Sequence, residues 1–134
     1  MTGYARRLCA AALVVAAAAA VSVFEPLPSR AQEPAGYEKT ILLENDSVQV
    51  VLIRYAPGAA SPLHTHEFPG RTIYVLQGGE LELLPDGDAA KAKRVSIKTG
   101  MVLWRPASTH IVRNVGSSET VVLEVEVKNL GSGE

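Results

Sequence analysis

The residues from Gly58 to Gly78 read GAASPLHTHEFPGRTIYVLQG, and they set the fold class. Two histidines, two positions apart, follow a turn-forming glycine. A run from Arg71 to Leu76, rich in β-branched and aromatic residues, then ends at glycine. Runs of this kind between glycines and prolines are typical of short β-strands. Residues i and i+2 of a strand project to the same face, so His64 and His66 can reach one ion from a single strand.

The same period of two continues along the chain and predicts strands at 48–55, 71–76, 81–84, 94–97, 101–105, 110–115 and 120–127. Asp86-Gly87-Asp88 is a hairpin turn signal between two of these runs. The last run alternates fully, with Val121, Leu123, Val125 and Val127 on one face and Val122, Glu124 and Glu126 on the other. We therefore predict an all-β sandwich or barrel of seven or eight short strands.

The beginning of the chain has the pattern of a secretory signal peptide. Arg6 and Arg7 precede an alanine-rich apolar block, Leu8–Val23, and small residues stand at the expected positions before a cleavage site after Ala31. The apolar block is about two residues shorter than a usual membrane span, which favours cleavage over a retained anchor. We expect export to the periplasm or the medium, and no membrane attachment after cleavage.

These features divide the chain into a signal peptide at 1–31, a polar flexible leader at 32–40 and one barrel domain at 41–130. The single cysteine, Cys9, lies in the signal, so a metal in the mature chain must be held by His, Asp, Glu or water. The formal net charge of −1 and the lack of a basic run exclude nucleic acid as an expected partner.

The chain has three histidines, and the third, His110, begins a later predicted strand. If the strand that carries His110 and the strand that carries His64 and His66 cover one another in a barrel, the three imidazoles converge. Three neutral ligands with open positions suit a metal that must also bind a substrate.

Two stretches resemble the two motifs of the cupin superfamily. Residues 58–78 follow G-x5-H-x-H-x4-R-x6-G, and the first cupin motif is G-x5-H-x-H-x3–4-E-x6-G. Residues 100–114 follow G-x5-P-x3-H-x3-N, one residue shorter than the second motif, with Ser108 in place of its glycine. The resemblance implies a double-stranded β-helix, or jelly-roll, barrel with His64, His66 and His110 as metal ligands. It also implies a homodimer formed through edge strands near the termini.

Arg71 stands where the cupin motif has its fourth ligand, a glutamate. Arginine has no free lone pair and cannot ligate a metal. A guanidinium about 5 Å from a dication, at an effective dielectric constant of roughly 20, costs on the order of 6 kcal/mol before relaxation.

Three interpretations of Arg71 are open. In the first, the three-histidine site persists and Arg71 either turns away or pairs with a carboxylate, of which Glu67 is the nearest; a bulge that turned Glu67 inward would make it a fourth ligand. In the second, Arg71 binds the carboxylate or phosphate of an anionic ligand beside the metal. In the third, no metal binds and the barrel is a pocket for a small anion.

The leading hypothesis is a small exported cupin whose three-histidine metal site binds or transforms a small molecule. Iron(II), manganese(II), nickel(II) and zinc(II) all suit imidazole ligands, and an enzyme of this kind would be a metal-dependent dioxygenase or isomerase. The alternatives are a metal-free binding or sensing module that uses Arg71, and a structural cupin dimer, because a fold does not determine a function.

Overall fold

The computed structural model describes residues 34–129, which form seven β-strands and one turn of 3-10 helix. The strands are β1 (Tyr37–Glu44), β2 (Val48–Tyr55), β3 (His64–Gln77), β4 (Gly79–Pro85), β5 (Lys93–Ile97), β6 (Val102–Asn114) and β7 (Thr120–Val127). The predicted all-β class is confirmed. The signal-peptide prediction for residues 1–31 lies outside the described residues. No helix within 34–129 is long and apolar enough to cross a membrane.

All seven strands belong to one antiparallel sheet with the order β1-β2-β7-β3-β6-β4-β5. This sheet curls over on itself, because Tyr55 of β2 and Val95 of β5 line one cavity although their strands are far apart in the sheet. The result is the predicted jelly-roll barrel, with an inner face that surrounds a cavity.

Strand β6 is one continuous strand, whereas the sequence pattern predicts two strands, 101–105 and 110–115, with the first ending before Pro106. Pro106 is opposite Gly70, beside a register shift in the pairing of β3 with β6. Proline cannot donate a ladder hydrogen bond, but a bulge leaves residues unpaired in any case, so the strand continues through it.

Strand β1 begins inside the segment 32–40 that the sequence pattern assigns to a flexible leader. Tyr37 is opposite Tyr55 in the β1–β2 pairing, and their ring centroids are 5.4 Å apart. Tyr37 is buried as part of the core. The leader prediction was wrong from Tyr37 onward. The sequence around Tyr37 is mainly polar, but the buried ring of Tyr37 packs near Tyr55 and holds β1 in the sheet.

The two cupin-like motifs are held together by backbone and side-chain hydrogen bonds. Gly58 and Gly100, which begin the two motifs, both have positive φ angles, of 78° and 85°. The Gly58 N–H donates to the Asn114 carbonyl at 3.0 Å. The buried Asn114 amide donates to the carbonyls of Tyr55 and Ser118 at 2.9 and 2.7 Å. The end of the second motif therefore fixes the start of the first.

The two faces of β7 differ in burial, and the face that carries two glutamates is the buried one. Val122, Glu124 and Glu126 are buried, whereas Leu123 and Val125 are only partly buried on the outer face. An apolar-inside reading of the alternation would turn both glutamates toward solvent. The strand does the opposite and places two carboxylates on the inner face of the barrel.

Candidate metal site and ligand cavity

A register shift in β3 brings His66 and Arg71 to the same inner face. These residues are five positions apart, so a regular strand would point them to opposite faces. The pairing with β6 shifts between His66 and Gly70, and both His66 and Arg71 are buried, at 5% and 3% exposure. Glu67, inside the shifted segment, remains exposed.

The three histidines converge as the sequence analysis predicts. His64 is directly opposite His110 in the β3–β6 pairing, and His66 is opposite Ser108. The ring centroids are 4.7 Å apart for His64 and His110, 4.8 Å for His64 and His66, and 5.1 Å for His66 and His110. One nitrogen from each ring lies within 4.8 Å of the others, so the three can share one ion.

Hydrogen bonds at Nδ1 leave Nε2 available for ligation in at least two of the rings. His64 Nδ1 donates to the Pro62 carbonyl at 2.9 Å, and His66 Nδ1 donates to Glu126 Oε1 at 2.7 Å. A carbonyl and a carboxylate only accept, so the neutral rings carry their hydrogen on Nδ1 and a lone pair on Nε2. His110 Nδ1 is 3.2 Å from the Ser108 hydroxyl, which can donate or accept.

His66 Nε2 is buried and has no hydrogen-bond partner. A buried polar nitrogen without a partner is costly, and a metal ion that accepts its lone pair removes that cost. The carboxylate on Nδ1 is the outer partner that metal-bound histidines commonly have. The donor set therefore fits a divalent transition metal held by three imidazoles.

Two of the three rings, His64 and His110, have the protonation state that metal binding requires. Burial lowers the pKa of His64, and burial followed by the neighbouring His64 lowers the pKa of His110 to about 3. Both rings are neutral at neutral pH, when their lone pairs can ligate. The hydrogen bond to His66 lowers the pKa of Glu126, which keeps this carboxylate charged.

Arg71 points into the cavity and is paired with β7 carboxylates. Its Nη1 donates to the Pro106 carbonyl at 3.2 Å, and its Nε is 3.6 Å from Glu124 Oε2. Glu126 is directly opposite it in the β3–β7 pairing. When ionised, these carboxylates offset the repulsion that Arg71 alone would impose on a dication. Burial raises the pKa of Glu124, and the charge of Arg71 opposes that shift.

The suggestion that Glu67 pairs with Arg71 or completes the metal site is wrong. The bulge near Glu67 turns Arg71 inward and leaves Glu67 in solvent, and the partner comes from a different strand, β7. Sequence reasoning missed Glu124 and Glu126. The available signal was the Glu-x-Glu alternation in an otherwise apolar strand, which places two carboxylates on one face.

A second group of possible ligands, His66 with Glu124 and Glu126, also lies within 4.8 Å. Its atoms are already engaged, because Glu126 is hydrogen-bonded to His66 Nδ1 and Glu124 faces Arg71. Of the two groups, the three histidines therefore have the available donor atoms, and the two carboxylates lie outside them.

A cavity of about 520 Å³ adjoins the histidines. Its polar end includes Arg71, His110 and Glu124. Its other end is apolar, with Leu81, Leu83, Val95 and Ile97 in its wall. This volume is within the range of small-molecule sites in proteins.

The family described as "Cupin domain" matches residues 51–126, which include both histidine-bearing strands and both inner glutamates. The chain belongs to the cupin family. A cupin domain from Bordetella pertussis Tohama I has the same fold, with a TM-score of 0.63 and 25% identity over 70% of this chain and 95% of that chain.

Two curated proteins are similar to this chain. One is germin-like protein subfamily 2 member 2 of Arabidopsis thaliana, 39% identical over 90 residues, which are 66% of this chain and 41% of that protein. This chain therefore spans less than half of the germin-like protein. The other is beta-alanine degradation protein BauB of Pseudomonas aeruginosa, 30% identical over 90 residues, which are 66% of this chain and 90% of that protein.

Proposed function

We propose that this protein is an exported cupin that holds one divalent transition metal through His64, His66 and His110 and binds a small organic molecule beside it. The observation that carries the proposal is the buried Nε2 of His66. This nitrogen has no hydrogen-bond partner, while Nδ1 of the same ring is fixed by Glu126. Iron, manganese, nickel and zinc ions all accept imidazole ligands.

The protein's own residues have distinct tasks in this proposal. Glu126 orients the His66 ring through its hydrogen bond. Glu124 and Glu126 balance the charge of Arg71, so that a dication and a guanidinium can share one cavity. Arg71 remains a donor to an anionic group of the ligand, because a guanidinium has five N–H groups in a planar fork.

Elemental analysis of the purified protein, prepared without chelator or an affinity metal, tests the metal site. We expect close to one equivalent of a transition metal, which is lost in His110→Ala and in His64→Ala. Since every histidine of the chain lies in the site, the matched control is Glu67→Gln, a nearby exposed residue that should keep its metal. A parent protein that binds no added manganese, iron, nickel or zinc would refute the metal site.

The metal-free binding module is the second candidate, and the position of Arg71 in the cavity favours it. The two candidates differ in what the histidines do. If the parent protein binds no added metal, and its ligand binding is unchanged in His110→Ala and lost in Arg71→Gln, the binding module is the correct function.

Three imidazoles leave coordination positions for a substrate, and the metal, when bound, supplies Lewis-acid or oxygen chemistry there. We propose metal-dependent dioxygenation and isomerisation as the reaction classes to screen. BauB, by its name, acts in the degradation of beta-alanine, a small carboxylate. That relationship supports a small carboxylic acid as the first substrate class to include.

We also propose export after cleavage at Ala31 and assembly as a homodimer. Support for the dimer comes from the edge strand β1, where Ile41, Leu42 and Leu43 are about half exposed, at 52%, 55% and 48%. Exposed apolar edge strands readily pair with another chain. N-terminal sequencing of protein from the periplasm should begin at Gln32, and light scattering should give twice the mass of one chain, reduced to one mass by Leu42→Lys.

A further inference from the structure

Two arginines lie side by side in the cavity wall, on the neighbouring strands β3 and β6. Arg71 and Arg105 are directly opposite in the antiparallel pairing of β3 with β6, and both line the cavity. Like charges in this arrangement are destabilising, because directly opposed Cβ atoms are roughly 4.5–5.5 Å apart. Arg71 is buried, whereas Arg105 and a third lining cation, Lys93, are exposed. Lys93 is opposite Leu83 in the β4–β5 pairing, so Arg71 and Arg105 are the two lining cations that are paired with each other.

Protein carboxylates compensate only the inner member of this set. Arg71 has Glu126 opposite it and Glu124 at 3.6 Å. Arg105 instead donates to the Trp104 carbonyl at 3.1 Å. Within residues 34–129, neither Arg105 nor Lys93 forms an ion pair with a carboxylate. An anion placed between the two guanidinium groups would remove their repulsion and accept hydrogen bonds from both.

The opposite end of the same cavity has a different chemistry. Its wall is formed by apolar side chains from β4, β5 and β6: Leu81, Leu83, Val95, Ile97 and Leu103. Contact with an apolar ligand surface is favourable for a lining of this kind, because it removes both surfaces from water. A free inorganic anion would leave this apolar wall exposed to water.

We infer that the cavity binds an organic carboxylate with an apolar body, whose carboxylate lies between Arg71 and Arg105 and whose body lies against Leu81, Leu83 and Val95. Planar guanidinium groups match a carboxylate in two parallel hydrogen bonds. The inference deepens the proposed function by naming the ligand class of the same cavity. The arginine pair and the apolar wall do not themselves require a metal.

Calorimetric titration of the metal-free protein with three probes tests the ligand class. Octanoate has both the charge and the apolar body, 1-octanol lacks the charge, and acetate lacks the body. We expect octanoate to bind at least tenfold more tightly than either of the others. Equal binding of octanoate and octanol would overturn the anion site, and equal binding of octanoate and acetate would overturn the apolar site.

Arg105→Gln is the decisive variant, because Arg105 is exposed and its loss leaves no buried charge unpaired. We expect at least a tenfold loss of octanoate affinity with octanol binding unchanged. Arg113→Gln is the matched control on the same strand, since Arg113 is exposed, pairs with Glu82 and does not line the cavity. Leu83→Trp should abolish the advantage of octanoate over acetate.

Failure of this inference is separable from failure of the metal site. If no metal binds but octanoate affinity depends on Arg105, the ligand class stands and the metal proposal fails. If one equivalent of metal binds but the metal-free protein does not distinguish octanoate from octanol, or Arg105→Gln has the same octanoate affinity as Arg113→Gln, this inference is wrong.

Discussion

The two ends of the cavity are built in opposite ways on the same seven strands. At one end the buried polar groups form pairs: Glu124 with Arg71, which both line the cavity, and Glu126 with His66, whose Nε2 has no partner. At the other end, Leu81, Val95 and Ile97 contribute to an apolar wall. Buried ion pairs contribute little net stability, whereas apolar burial stabilises the fold directly. The polar end therefore has the character of a functional site that the apolar end supports.

Breaking the polar end should have the largest effect on stability. Arg71→Met leaves Glu124 buried without its counter-charge, and we expect a loss of about 3–5 kcal/mol in the free energy of unfolding, measured with urea. Adding Glu124→Gln should restore much of this loss, since the remaining partner is then neutral. Arg113→Met removes an exposed pair and should cost less than about 1 kcal/mol. A stable Arg71→Met single variant would show that Glu124 is not charged in the folded protein.

Truncating the apolar end should have the next largest effect, of a different kind. Leu81→Ala should lower the free energy of unfolding by about 2–3 kcal/mol, because Leu81 is buried and the adjoining cavity leaves little chance of repacking. The metal content of this variant should equal that of the parent. Loss of metal in Leu81→Ala would mean that the two ends are not independent.

A change to the outer partner of His66 should affect metal affinity more than stability. Glu126→Gln keeps the size of the side chain but loses the charged acceptor on Nδ1, and we expect metal affinity to fall about 10–100-fold. Competition with a chromophoric chelator measures this change. Glu119→Gln, which alters a carboxylate paired with Arg54 on a part-exposed surface, is the control and should leave affinity unchanged.

The smallest expected effect is a pH dependence in the stability of the metal-free protein. It arises from His110, at the polar end of the cavity. The pKa of His110 is about 3 in the folded chain and has an ordinary value of 6.5. Between these values the unfolded chain binds a proton that the folded chain does not, so stability falls as the pH falls through this window. We expect a loss of about 1 kcal/mol from pH 6.5 to 5, after allowance for partial exposure of the ring.

Urea titrations at both pH values, with His110→Gln as the comparison, measure this contribution. The variant should show a smaller decrease, since it lacks one of the depressed histidines. An equal decrease in both proteins would assign the effect to other groups of the polar end, such as His64 or Glu126, whose pKa values are also lowered.

Local pattern was sufficient for much of the fold. Strand β2 has the bounds that the alternation of residues 48–55 predicts, and β7 has those predicted for 120–127. The exceptions are informative: Pro106 does not end β6, because it lies beside a bulge, and Tyr37 starts β1 within polar sequence, because its ring packs on Tyr55. Both depend on the partner strand, which no local window contains.

The candidate site was also predictable only in part. Spacing placed His64 and His66 on one face, and His110 was a candidate because it begins a later predicted strand and matches the second motif; the convergence of all three rings agrees with this prediction. The partner of Arg71 could not be predicted from the sequence. Glu124 is 53 positions further along the chain and lies near Arg71 only because β3 pairs with β7.

The sequence by itself therefore determined the all-β class, the cupin motifs and the identity of the three histidines, since these depend on residue type and short spacing. Only the tertiary structure decided that Arg71 turns inward, that Glu124 and Glu126 surround it, and that Arg105 is opposite it. The physical reason is that a one-residue shift in a strand reverses the face of every side chain after it. Register is set by packing between distant strands, so the electrostatics of the cavity exist only in the folded barrel.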